Sequence, residues 1–191
     1  GNWIMQPTST VAKVLYRNGI RLDSSVFKGG VQRQVGLDYR HALKNGPYWF
    51  FTEDVNRPDS SGVLLEVPIC CELLPFWRMI KSKRLMVQRR NIMANRGSPL
   101  DSRLVDFARF KYPRKLDFCR MSWKEMRETI DRAIGEDRQS PDKYRPLVAI
   151  GHSKDLGDID PIERLLCHLA QNSINISDFS QVLRQVTFMR G

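Results

Sequence analysis

Short apolar segments alternate with helix-forming segments along this chain, and this alternation constrains its fold more than any other feature. A helix is predicted at 7–18, where Pro7 suits the first turn and Gly19 ends the helix. Short strands are predicted at 20–26, 48–51, 63–69, 116–118, 147–151 and 174–176. Strands and helices that alternate in this way are typical of βα units. The sequence therefore predicts an α/β fold with mostly parallel strands, a partial (β/α) barrel with about half the units of a closed barrel of roughly 250 residues.

The remaining segments follow from capping and turn signals. Helices are predicted at 73–90, 98–110, 122–135 and 160–171, with a last one capped by Ser177. Ser122 and Glu125 have the spacing of a capping box. The glycine and proline content of 31–47 indicates a long loop. We expect one domain that covers residues 1–191.

The charge is strongly positive, with 31 Lys and Arg against 21 Asp and Glu, a net charge of +10 and a pI near 9.8. The excess of basic side chains is concentrated between Arg78 and Arg145, and the part from Arg78 to Lys115 is the candidate binding segment. A solvated helical face accounts for most of them. The alternative function is a non-catalytic module that binds an anionic polymer or a protein partner through this segment.

The sequence has no apolar run of the length that spans a bilayer, so no membrane span is predicted. Its four cysteines, Cys70, Cys71, Cys119 and Cys167, match neither a zinc ribbon nor a C-x-x-C redox motif. We expect them to be reduced and mostly buried. Reduced cysteines favour a cytoplasmic protein.

Polar residues directly after or within predicted strands are the candidates for chemistry, because parallel α/β folds carry their sites at strand ends. They are Asp23 with its two serines, Glu66, and the segment 151–155. His152 is suited to give or take a proton, with Lys154 and Asp155 to orient it or bind substrate. A structural histidine bonded to a backbone carbonyl is the alternative. Asp23 is either a base or hydrogen-bonding partner in a cleft, or part of a turn.

The aromatic run 48–51, which contains Trp49, offers faces on which sugar rings stack, and it equally suits a plain core strand. A metal site has little support, since the only histidines, His41, His152 and His168, lie far apart. The sequence has no Gly-rich phosphate loop, no G-x-S-x-G and no H-E-x-x-H. Nucleotide chemistry and serine hydrolysis are therefore not predicted.

Three segments together resemble the polysaccharide deacetylase family, the chitin and peptidoglycan deacetylase-like carbohydrate esterases. They are 1–3 with 19–26, then 48–50 with 66–69, then 150–154, in the order and spacing of that family. The resemblance implies the second half of a distorted (β/α) barrel of the polysaccharide deacetylase type. It also implies metal-dependent hydrolysis of acetyl groups on a glycan, with a divalent metal such as zinc.

The resemblance assigns roles to individual residues. His152 falls where the family places the general acid, and Asp23 and Ser25 fall where it lines the substrate pocket. Trp3, Trp49 and Lys154 are implied substrate contacts. The family's T-F-D-D and His-x-x-x-His type segments, which supply the base and metal ligands, do not occur in this sequence. We therefore expect the chain alone to be inactive and to need a missing N-terminal half or a partner chain.

Overall fold

A computed structural model describes residues 4–32, 35–75 and 111–190. In these ranges the chain forms four α-helices and seven short strands. The helices are α1 Thr8–Arg17, α2 Trp123–Gln139, α3 Asp160–Gln171 and α4 Phe179–Arg190. The strands are β1 Leu22–Asp23, β2 Val31–Gln32, β3 Leu37–Asp38, β4 Trp49–Phe51, β5 Leu64–Glu66, β6 Cys71–Pro75 and β7 Lys111–Lys115. Short 3-10 helices cover His41–Lys44 and Ser153–Asp155.

The sheets are small and mostly antiparallel. One sheet has the order β1-β5-β4, and β2 with β3 and β6 with β7 form two-stranded sheets. Only β1 and β5 are parallel, whereas the other three described strand pairs are antiparallel. The prediction of a partial (β/α) barrel with mostly parallel strands is therefore wrong, and the fold is mixed α/β.

The connections explain the difference. A parallel pair needs a long crossover, usually a helix, between its strands. The chain instead turns directly from β4 to β5 through the turn-rich segment 52–63, which makes these two strands antiparallel neighbours. It then runs from β5 to β6 without a helix in between. The strands predicted at 48–51 and 63–69 are confirmed as β4 and β5, and they are neighbours in the sheet.

Parallel contacts do occur as isolated bridges beyond the ends of the strands. Ile69 is bridged to Phe27 on one side and to Val148 on the other, and Ile150 is bridged to Asp117. The Cys70 N–H donates to the Val148 carbonyl at 2.9 Å, and the Phe118 N–H donates to the Ile150 carbonyl at 2.9 Å. The segments 22–27, 64–70, 148–150 and 116–118 thus lie side by side.

Three apolar clusters hold these segments together. One contains Phe51, Leu64 and Ile69 below α1, and a second packs α2 and α3 around Met126 and Leu165. In the third, Val182 and Val186 of α4 cover Leu65 and Val67 on the opposite face of β5. β5 is therefore buried on both faces.

Several local predictions are corrected by the structure. Residues 73–75, expected in a helix, belong to β6, where Leu73 is 40% exposed and Leu74 is 2% exposed, the alternation of a strand. The remainder of that helix and the helix at 98–110 lie outside the described residues. The segment 31–47 contains the β2–β3 pair rather than only a loop, and 174–176 is not a strand.

The helix ends follow capping chemistry. The Ser122–Glu125 capping box is confirmed at the start of α2. At the start of α4 the Asp178 carboxylate accepts the Gln181 N–H at 2.7 Å, so Asp178 takes the role predicted for Ser177. None of the helices in the described ranges combines the length and apolar character that a membrane crossing needs.

Candidate functional site

Two neighbouring strands bring Asp23 and Glu66 together. The residues are direct partners in the parallel register of β1 and β5. Glu66 is 0% exposed, and its Oε1 atom accepts the Val26 N–H at 3.0 Å. Its Oε2 atom is buried and makes no hydrogen bond of normal geometry to the described residues, while the Asp23 carboxyl group and the Ser25 backbone both interact with the Glu66 carboxyl group. Burial raises the pKa of Glu66 well above its ordinary range, and the neighbouring Asp23 raises it further.

Asp23 itself is held by the turn that follows β1. The Ser25 N–H donates to Asp23 Oδ2 at 3.0 Å, and the Ser25 hydroxyl donates to Oδ1 at 3.0 Å. Ser25 is thus engaged with Asp23, as the turn interpretation of the sequence predicts. Tyr39 lies nearby. Burial raises the pKa of its phenol, and the neighbouring Glu66 and Asp23 raise it further, whereas the hydrogen bond from the Met5 N–H lowers it.

The loop that carries His152 follows the bridged segment 148–150. The Asp155 N–H donates to the His152 carbonyl at 2.8 Å, which closes the turn Ser153–Asp155. The Arg120 guanidinium donates to Asp155 Oδ2 at 2.9 and 2.6 Å. Arg120 also lies 3.9 Å from Asp117 Oδ2. An ion pair therefore ties the His152 loop to the turn that follows the neighbouring segment 116–118.

Gly151 sets how closely this loop approaches its neighbour. A Cβ atom at this position would lie 2.3 Å from Phe118 Cε2 and 2.9 Å from Cys119 Sγ, well inside van der Waals contact. Only glycine fits without a shift of these side chains. The half-buried His152 is thus supported on one side by close packing and on the other by the Arg120–Asp155 pair.

The register separates His152 from Asp23. Glu66, the partner of Asp23, precedes Ile69 by three positions, whereas His152 follows Val148, the residue bridged to Ile69, by four. The carboxyl pair and the His152 loop therefore lie at different heights along the strands. They form two parts of the candidate site, not one cluster.

Asp117 and Arg120 were not predicted as site residues. Asp117 has the signal that selected His152, since it is a polar residue at the end of a predicted strand. Arg120 has no such signal, because its contact with Asp155 spans 35 positions of sequence.

The aromatic run separates into two faces. Trp49 is 5% exposed, and its Nε1–H donates to the Val55 carbonyl at 2.7 Å, while Phe51 is 0% exposed. These two side chains are core residues, as expected if the run is a plain core strand. The Trp49 ring is therefore not exposed for the predicted contact with substrate. Tyr48 and Phe50 are half-buried and line an open cleft beside Arg190. Trp3 and the side chain of Lys154 lie outside the described part of the structure.

The described residues do not fit a metal ion. Within 4–32, 35–75 and 111–190, no group of three or more His, Cys, Asp or Glu side chains is arranged to hold one. All four cysteines are free, with Cys167 exposed and the other three half-buried. Burial raises the pKa of Cys70 to about 11 and that of Cys71 to about 12, so both thiols stay protonated near neutral pH.

Most of the basic segment, 78–110, lies outside the described residues. Of its last two cations, Arg114 is 11% exposed and pairs with Glu72 at 2.8 Å and Glu125 at 3.2 Å. Lys115 is 6% exposed, with its Nζ atom 3.8 Å from the centre of the Phe27 ring. Both side chains are engaged inside the fold. Binding of an anionic polymer stays a prediction for the rest of this segment.

No family model matches the chain, and searches of the curated proteins and of the solved structures likewise give no match. A functional conclusion therefore rests on the residues and their geometry.

Proposed function

We propose that this chain serves in the hydrolysis of acetyl groups on a glycan, as the resemblance to polysaccharide deacetylases implies. The observation that supports this proposal is the adjacency of segments that are far apart in sequence. The Asp23 strand, the Glu66 strand and the segment before His152 lie side by side through the bridges of Ile69 to Phe27 and Val148. This proposal does not depend on the barrel topology, which the strand pairs overturn.

His152 is the general acid of the proposed reaction. Water oxygen adds to the acetyl carbon and releases one proton to the solvent, and the bond between that carbon and the amine nitrogen then breaks. The imidazolium of His152 gives its proton to the departing nitrogen, so that acetate and a free amine leave. A histidine suits this step because its ordinary pKa lies near neutral pH. The half-buried position at the end of the 148–150 segment leaves the ring partly accessible to substrate.

The substrate of this proposal is an oligosaccharide or polysaccharide. Asp23 and His152 lie at different heights along the strands, so a chain of sugars, rather than a single one, is suited to contact both. The described residues supply no metal group, so no step is assigned to a metal. We propose that a partner chain supplies the metal-binding residues that the resemblance implies. The free thiols support the cytoplasm as the compartment.

The test is binding and hydrolysis of N-acetylated chito-oligosaccharides. Calorimetric titration is expected to give saturable binding by the chain, weakened about tenfold in His152→Ala, which corresponds to roughly 1.4 kcal/mol. His41→Ala is the matched control, because His41 is exposed and lies in another part of the fold. Its affinity should equal that of the wild type.

Acetate is followed in the same samples, with and without added zinc. We expect none from the chain alone. Release of acetate would support the proposed reaction and overturn the expectation that a further segment is needed. Absence of binding to every acetylated glycan tried would contradict the proposal.

A further inference from the structure

We infer that Glu66 is a positioning residue that carries a proton at neutral pH and donates it in a hydrogen bond to Asp23, which fixes the Asp23 carboxylate in the proposed pocket. The inference depends on the proposed function only for the role of Asp23. The proton itself is argued from the contacts of Glu66.

The surroundings of Glu66 leave one oxygen atom without a donor. Glu66 lies in the central strand of its sheet, with Asp23 of β1 on one side and Trp49 of β4 on the other. Oε1 accepts the Val26 N–H, while Oε2 has no donor among the described residues and is closed to solvent. Its neighbour is the Asp23 carboxyl group, which also only accepts hydrogen bonds when ionised. A buried carboxyl oxygen beside a second, half-buried carboxyl group is stable only with a proton between them.

The hydrogen bonds decide which carboxyl group holds the proton. Asp23 accepts two hydrogen bonds from Ser25, which occupy both of its carboxyl oxygens. Glu66 is 0% exposed and accepts the Val26 N–H on its other oxygen. The titratable groups of the described residues that face Glu66 are Asp23 and the neutral phenol of Tyr39. Burial, first, and then the neighbouring Asp23 raise the pKa of Glu66, which agrees with a protonated Glu66.

The arrangement has a defined pH dependence. Because the pKa of Glu66 is raised in the folded protein, the stabilisation is fully present below the ordinary pKa of a glutamate. It is lost as the pH rises through the raised value, where Glu66 ionises beside the Asp23 carboxyl group. Asp23 should therefore be held less firmly as the pH rises. Any glycan binding that needs Asp23 should weaken over the same pH range.

Glu66→Gln and Glu66→Leu test this inference. The glutamine amide can accept the Val26 N–H through its oxygen and donate to Asp23 through its nitrogen at any pH, so it reproduces the protonated glutamate. Infrared spectra of the wild type at neutral pH should contain the carbonyl band of a buried carboxylic acid. This band should be absent from Glu66→Gln. Urea unfolding of the wild type should show stability that falls at alkaline pH, with a smaller fall in Glu66→Gln.

With N-acetylated chito-oligosaccharides, Glu66→Gln should bind as the wild type does at neutral pH, and Glu66→Leu should lose at least about tenfold in affinity. If Glu66→Leu does not fold, the infrared band and the comparison with Glu66→Gln still show whether Glu66 carries a proton. A wild type without the band, a band that persists in Glu66→Gln, or an equal alkaline loss in both proteins would overturn the inference. The band and the alkaline difference without any glycan binding would support the proton between Glu66 and Asp23 and contradict the proposed function instead.

Discussion

Replacement of Phe51 by alanine is expected to lower the free energy of unfolding by about 4 kcal/mol. Phe51 is 0% exposed in β4 and belongs to the cluster that packs this strand below α1. Loss of its ring removes apolar contacts and leaves a cavity that the surrounding backbone fills only in part. Urea denaturation followed by circular dichroism measures the change.

Phe188→Ala is the control for this prediction. Phe188 is 84% exposed on α4, so its removal should change the stability by less than about 0.5 kcal/mol. Equal effects of the two substitutions would show that Phe51 is not packed in the core.

Replacement of Arg114 by methionine is expected to lower the free energy of unfolding by about 3 kcal/mol. Arg114 joins Glu72 of β6 to Glu125 of α2, and the Arg114 and Glu72 side chains are only 11% and 8% exposed. Methionine keeps the stem of the side chain but leaves Glu72 with Arg132 as its remaining cation, at 2.7 Å. A buried charge that loses a partner is strongly destabilising.

The effect of Arg114→Met should depend on pH. Burial alone would raise the pKa of Glu72, but the hydrogen bonds from Arg132 and Arg114 outweigh it and hold the pKa below its ordinary value. The contribution of Glu72 is therefore present above the ordinary pKa of a glutamate and is lost as the pH falls through the lowered one. Urea denaturation should show a gap between wild type and Arg114→Met that narrows in acid.

Arg127→Met serves as the matched control. Arg127 pairs with Asp131 at 3.3 Å, but the two side chains are 59% and 46% exposed, so its loss should cost less than about 0.5 kcal/mol at any pH. An equally small difference in stability between wild type and Arg114→Met would contradict the buried network between the β6–β7 pair and α2.

Local chemistry made part of this fold predictable. The capping box of Ser122 and Glu125 and the proline at the start of α3 define helices whose signals lie within a few residues. The neighbour relation of β4 and β5 follows from the turn-rich segment between them. Signals of this kind do not depend on the rest of the chain.

The strand directions depend on distant partners and were mispredicted. Alternation of strands and helices suggested parallel pairing, yet β6 pairs with β7, which begins at Lys111, and the two run in opposite directions. The apolar residues 73 and 74 predict the start of a helix as readily as a strand, because a short apolar run suits either structure. Pairing across about 40 positions is not visible in such a run.

In the candidate site too, features set by nearby residues are predictable from the sequence, whereas features set by distant residues are not. Asp23, Glu66 and His152 were selected as polar residues in or after strands, and the contacts of Asp23 with Ser25 follow from local turn chemistry. Protonation of Glu66 depends on its partner in the neighbouring strand and on complete burial. Neither the partner nor the burial can be predicted from the residues next to Glu66 in sequence. The support of the His152 loop by Arg120 likewise becomes visible only in three dimensions.

Whether His152 lies in the proposed glycan-binding site can be measured by nuclear magnetic resonance. The imidazole signals of His152 are followed while N-acetylated chito-oligosaccharides are added, with the backbone signal of Gly135 in α2 as the reference. We predict that the His152 signals shift saturably while Gly135 stays unchanged. Unchanged His152 signals at saturating glycan, with shifts confined to other parts of the fold, would contradict the account.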